Sequence, residues 1–143
     1  MLDLPGSAII GREIIAAAGM SDRVRHREGD AVTADLGRGY DGVLCFNLVH
    51  QLQPEQIVGL LRRIHDALAP GGSLAVMDAF ADPVRRASAQ ANYLGLFVYL
   101  SSGAQVHTPA ELHGWLPEAG FGAPGRIPIL RIPGQAMYVV TRR

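Results

Sequence analysis

Residues 42–79 read GVLCFNLVHQLQPEQIVGLLRRIHDALAPGGSLAVMDA. The opening GVLCFNLV is an almost unbroken apolar run, which predicts a strand buried on both faces. Pro54 falls where the first turn of a helix tolerates proline. Ile57, Leu60, Leu61, Ile64 and Leu68 then follow at a spacing near 3.6 residues until APGG ends the helix. SLAVMDAF is a second buried strand. Two such strands joined through a helix form a crossover unit, so they are expected to run parallel in one sheet.

The same alternation extends outward. MLDL predicts a short strand, and Ser7 is placed to cap a helix running through Ala18, with Ile10, Ile14 and Ile15 on one face and Gly19 as its stop. VRHREGD predicts another strand ending at Gly29 and Asp30, and the Gly- and Asp-rich loop AVTADLGRGYD leads into the apolar run. Beyond residue 80 a long helix is expected from about Pro83 to Leu100. Thr108 caps a further one, PAELHGWLPEAGF, with Pro109 in its first turn. The tail RIPILRIPGQAMYVVTRR carries two strand-like runs around a Pro-Gly turn, an antiparallel hairpin. The expected architecture is α/β, one domain over residues 1–143, with a mostly parallel sheet flanked by helices.

Composition narrows the partners. The 143 residues are 48% hydrophobic and 18% charged, enough apolar material for one core. The formal net charge is +0, and all thirteen basic residues are arginines scattered along the chain. That leaves no electrostatic footprint for nucleic acid or an anionic membrane surface. The absence of lysine suggests a GC-rich bacterial genome. Cys45, the single cysteine, lies inside an apolar run, which excludes an internal disulfide and suits a reducing cytoplasm. No leader pattern opens the sequence and no uncharged apolar run reaches the roughly 18 residues of a membrane span, so a soluble, unexported protein is expected. His26, His50, His65, His107 and His113 show no ligand-like spacing, and no metal site is expected.

In open parallel sheets ligands bind beyond the carboxyl ends of the strands. Four places satisfy that rule: Asp3, the Gly29-Asp30 pair, the segment Asn47–His50, and Asp78. A carboxylate at Asp3 can accept from both hydroxyls of a ribose, and one at Asp30 can meet an adenine amino group. Each can equally well cap a turn. His50 leaves a buried strand at the pocket rim, where a histidine can take a proton from a hydroxyl near neutral pH; the alternative is a ring packed at a helix entrance. His65 and His113, inside amphipathic helices, read as surface or packing residues.

Taken together, LDLP, REGD, the block from Asp41 to Asp78 and HTPAELHGWLPEAGF resemble the catalytic domain of class I S-adenosylmethionine-dependent O-methyltransferases. The group resembled is that of the plant phenolic and bacterial polyketide-tailoring enzymes. The resemblance covers nearly the whole chain and is most specific from Asp41 to Asp78, where strand, histidine, helix and PGG strand recur in order. It implies S-adenosylmethionine as cofactor, held by Asp3 at the ribose, by Gly29, Asp30 and Ala31 at the adenine, and by Phe46 along the pocket. His50 matches the general base that deprotonates a hydroxyl of a small, aromatic substrate, and Asp78 stands where plant members have a glutamate that orients it. Asn47, together with Asn92, Tyr93 and Phe97 on the helix SAQANYLGLFVYL, is expected to line the substrate.

The sequence departs from the family in three places. Gln51 replaces the aspartate that plant members carry after the histidine, and the region of Val106 replaces a second acidic residue. The family's first strand and its glycine-rich loop, which cradles the methionine part of the cofactor, would lie before Asp3. With the family's strand order 3-2-1-4-5-7-6, that strand is the centre of the sheet. Its absence would leave two apolar strand edges that must pair with each other, with a complementary chain, or with themselves in a homo-oligomer. The alternative to an enzyme part is a truncated, non-catalytic homologue acting as a dimerisation or partner-binding module.

Overall fold

A proline at the first helical position costs nothing, since the N–H it lacks is one that a helix start leaves unpaired. Pro54 opens α2 (Pro54–Ala67) in this way, and the Gln56 side chain accepts the Gln53 N–H at 2.9 Å to close the helix start. Ile57, Leu60, Leu61 and Ile64 form its buried stripe. The computed structural model describes residues 1–81, 89–127, 129 and 135–143, without the side chains at 89–92, 94 and 102. The chain divides into two compact units, residues 1–36 and 37–143, which are described separately.

The second unit is built on four strands, β3 (Tyr40–Phe46), β4 (Leu68–Ala79), β5 (Gly125–Ile127) and β6 (Gln135–Thr141), in the order β3-β4-β6-β5. β3 and β4 are parallel, with Val43 opposite Leu74 and Phe46 opposite Met77. β4 pairs antiparallel with β6, and β6 with β5, which is the expected hairpin; its Pro-Gly turn lies outside the described residues. At Gly72 the chains approach so closely that a Cβ would lie 2.7 Å from the Tyr40 carbonyl oxygen. Cys45, Leu74, Val76, Asp78, Ala136, Tyr138 and Val140 lie on one buried face. α2 packs on β4, and α4 (Pro109–Glu118) packs on α2 with Leu112 and Leu116 inward.

Three expectations for this unit are corrected. β4 begins at Leu68, ahead of the expected Ser73, because the chain enters the ladder directly from the helix end at Leu68, which pairs with Tyr40. The run GVLCFNLV is not buried on both faces: Leu44 is 71% and Phe46 41% exposed, and only Cys45 in β3 is buried. β3 is the outer strand of its sheet, and its Leu44 face is uncovered. With two of its three ladders antiparallel, this sheet is also less parallel than the alternation suggested.

The first unit is a parallel pair, β1 (Leu2–Asp3) and β2 (Arg27–Glu28), joined through α1 (Pro5–Ala17). α1 starts at Pro5 rather than at a Ser7 cap: Leu4 is the N-cap and makes no side-chain capping bond, so the proline's fixed φ sets the start instead. Ala8 is its buried residue, whereas Ile10 and Ile14 are exposed. The close face is used by His26, whose ring fills the space at Gly11; a Cβ there would lie 1.9 Å from its Nδ1. Gly19, at φ 65°, ends the turn after the helix as expected.

α3 (Ala89–Ser102) covers the later part of the helix expected from Pro83; residues 83–88 lie outside the described residues. α4 begins as expected, with the Thr108 hydroxyl accepting the Glu111 N–H at 3.2 Å and the Glu111 carboxylate accepting the Thr108 N–H at 2.7 Å. Those bonds hold the Glu111 carboxyl below the usual range. Thr108→Ala should cost about 1 kcal/mol in denaturant unfolding, the usual size of a lost N-cap.

Burial, with the charge of Asp78 adding to it, pushes the Cys45 thiol up to about 12 from an ordinary 9.0. Between those values the folded chain keeps a proton that the unfolded chain has lost, so stability should fall as pH rises through this window. Cys45→Ala should remove that part of the slope in unfolding curves taken across the alkaline range. At pH 8 the thiol should react with an alkylating reagent only as fast as the chain opens, and prompt reaction would contradict the burial.

Candidate functional site

Side chains alternate along a strand, so an uninterrupted β3 would put His50 on the face of Phe46, away from Asp78, which shares the face of Cys45 and Val76. The chain breaks the alternation at Asn47, whose φ is 51°, the only positive value among the described non-glycine residues. Asparagine enters this left-handed region more readily than most residues, at a cost of order 1–3 kcal/mol. Three hydrogen bonds hold it there. Its N–H donates to the Met77 carbonyl at 2.9 Å, its carbonyl accepts from Gln51 Nε2 at 3.2 Å, and its Oδ1 accepts from Gln135 Nε2 at 3.2 Å. A 3-10 turn, Val49–Gln51, follows and carries His50 to Asp78.

His50 Nδ1 lies 2.6 Å from Asp78 Oδ1, and the His50 backbone N–H donates to Asp78 Oδ2 at 3.3 Å. The Ala79 N–H donates to Oδ1 at 2.7 Å. Asp78 is 1% exposed and the His50 side chain 15%. A carboxylate receiving two backbone donors acts as an acceptor, so Nδ1 is the donor in this pair. The arrangement is a buried acid holding an imidazole by Nδ1 beyond the ends of parallel strands, which leaves Nε2 as the ring nitrogen facing any bound molecule that exchanges a proton.

Asp3, Gly29 and Asp30 come together in the first unit. The Gly29 N–H donates to the Asp3 carbonyl at 2.9 Å, at the ends of the paired β1 and β2. Asp3 Oδ1 accepts the Leu4 N–H at 2.9 Å and Asp30 Oδ1 accepts the Val32 N–H at 2.7 Å, so each carboxylate does hold a turn. The Asp3 side chain is about half exposed, and its Oδ2 is 3.8 Å from His26 Nε2. Gly29 is required by packing, since a Cβ would fall 2.8 Å from the Ala34 Cβ and 2.9 Å from Leu2 Cδ1. Ala31 opens the turn that follows Asp30.

Phe46, on the exposed face of β3, ends the strand just ahead of Asn47. Tyr93 and Phe97 lie exposed on α3. Asn92 is on the same helix, and its side chain lies outside the described residues. His65 and His113 pack edge-on against Phe121 and Tyr138. Gln135 and His107 went unmarked at the level of sequence: nothing in the motif pattern ties a residue of the last strand to Asn47, or a histidine at a helix entrance to the turn after His50. No cluster of metal-ligating side chains occurs among the described residues, and none of their helices is long and apolar enough to cross a membrane.

Residues 1–122 match the O-methyltransferase domain family. The chain is 35% identical over 120 residues to the tetracenomycin polyketide synthesis 8-O-methyl transferase TcmO of Streptomyces glaucescens, covering 83% of this chain and 35% of that protein. It is 34% identical over 125 residues to the N,N-dimethyltransferase OxyT of Streptomyces rimosus, covering 85% of this chain and 35% of that protein. The crystal structure of the S-adenosylmethionine-dependent methyltransferase SibL in its apo form superposes with a TM-score of 0.84 at 33% identity, over 99% of this chain and 42% of SibL. The chain thus spans about a third of the length of the curated relatives it matches. With a mixed α/β fold and a match running from the first strand pair through α4, the chain belongs to the O-methyltransferase domain family.

Proposed function

We propose that this chain forms the carboxyl-terminal part of one catalytic domain, spanning both units, that transfers a methyl group from S-adenosylmethionine to a hydroxyl of a small aromatic metabolite. The observation that carries the reading is the 2.6 Å contact between His50 Nδ1 and a fully buried Asp78. Relatives carry names of both oxygen and nitrogen methyltransferases. A neutral amine already has a free lone pair, whereas a phenol becomes a good nucleophile only on losing its proton. An imidazole fixed as an acceptor at Nε2 is therefore most useful to a hydroxyl.

His50 takes the hydroxyl proton at Nε2 while Asp78 keeps the Nδ1 proton in place and stabilises the imidazolium that forms. S-adenosylmethionine, when bound, supplies an electrophilic methyl group on its sulfonium. Asp3 suits the ribose, because its half-exposed carboxylate is held at Oδ1 by the Leu4 N–H, while at Oδ2 the His26 Nε2 stands off at 3.8 Å, beyond hydrogen-bond reach. Asp30 and Ala31, at the turn after β2, suit the adenine, and Phe46 offers an exposed ring for the pocket wall. Asn47, Asn92, Tyr93 and Phe97 line the substrate in this reading.

Turnover of the enzyme carrying His50 or His50→Ala tests the base. The variant should lose about 100- to 10,000-fold in kcat with cofactor affinity nearly unchanged. The loss should shrink across a series of phenols of rising acidity, since these part with the proton unaided. A loss that is the same for every phenol, or no loss, would make His50 a packing residue.

The uncovered outer strand supports a second part of the proposal. β3 presents Leu44 on the outer edge of its sheet, and such an edge takes up another strand readily. The chain alone should run as an oligomer, or bind a complementary strand segment, by light scattering on size exclusion. Leu44→Lys should shift it toward monomer, and a wild-type monomer indifferent to added segment would refute the edge argument.

A further inference from the structure

His107 is buried to 1% exposure at the entrance to α4, with no role yet assigned to it. Its Nε2 lies 3.1 Å from the Leu52 carbonyl oxygen, and its own backbone carbonyl accepts the Ala81 N–H at 2.9 Å. Leu52 is two residues beyond His50 and closes the 3-10 turn through its N–H to the Val49 carbonyl. Ala81 is three residues beyond Asp78. One residue therefore ties together the two segments that carry the pair, downstream of each member.

The ring is itself held firmly. Trp115 meets it edge-on at 4.9 Å, and the Thr108–Glu111 box fixes the backbone immediately after it. Bulk alone does not explain a histidine here. Nδ1 is buried without a hydrogen-bond partner, a desolvation cost that an apolar side chain of similar size avoids. The Nε2 donor to Leu52 is what the imidazole provides and a leucine does not.

We infer that His107 is a positioning residue for the His50–Asp78 pair, fixing the turn that carries the base against the end of β4. The inference rests on the reading of that pair as a base and its orienting acid. It acts at a distance, through the Leu52 carbonyl and the Ala81 N–H.

Nitrogen-15 histidine spectra of the chain test it without requiring turnover. In wild type His50 should show one tautomer, protonated at Nδ1, with slow exchange of that proton. His107→Leu removes the donor, His107→Asn keeps an amide that is too short to reach Leu52, and His107→Gln puts an amide nitrogen where Nε2 lies. Leu and Asn should speed exchange of the His50 Nδ1 proton about tenfold, the scale of one lost hydrogen bond, and mix the tautomers; Gln should restore wild-type behaviour. If His107→Leu does not fold, the Asn and Gln variants decide alone. A His50 signal unmoved by Leu and Asn, or Gln no better than Asn, overturns the inference and leaves the base reading intact. No Nδ1-protonated tautomer in wild type overturns both.

Discussion

A carboxylate withdrawn from water is tolerated only when donors replace the water it lost, and Asp78 makes that requirement the organising constraint of the second unit. Its three donors come from different places: the Ala79 N–H from its own strand, and the His50 N–H and Nδ1 from the turn beyond β3. Strand and turn must therefore both be correctly placed before the acid can be buried. The sheet register, the break at Asn47 and the packing of α2 over β4 all serve this condition. Burial raises the neighbouring Cys45 thiol and the same charge adds to that rise, so the field of the acid reaches into the core as well as the site.

What the amino-acid sequence reveals depends on how local the cause is. α2 was readable to the residue at its start, because Pro54 and the apolar spacing act within the helix itself. The Thr108 cap was readable for the same reason. Ser7 misled, because a cap and a first-turn proline compete for one helix start and the proline lay two residues earlier. Apolar runs were weaker guides. Leu44 and Ile14 are as apolar as Leu60, yet they are exposed, since burial depends on which faces meet and not on the residue alone.

The site was legible in its parts and not in its contacts. Asp3, Asp30, His50 and Asp78 all stand at strand ends, where the topology of an α/β sheet directs attention. The pairing of His50 with Asp78 was expected only through family resemblance, because strand alternation alone places them on opposite faces. The residues that secure the pair, Gln135 and His107, come from 88 residues beyond Asn47 and 55 beyond Leu52. No short motif spans such separations.

The left-handed turn at Asn47 bears on how this stretch can change over evolutionary time. Substitutions in the segment from Phe46 to His50 alter single side chains, but inserting or deleting one residue would turn the histidine by about 120° on its 3-10 turn, away from Asp78. Length is thus under tighter constraint here than identity.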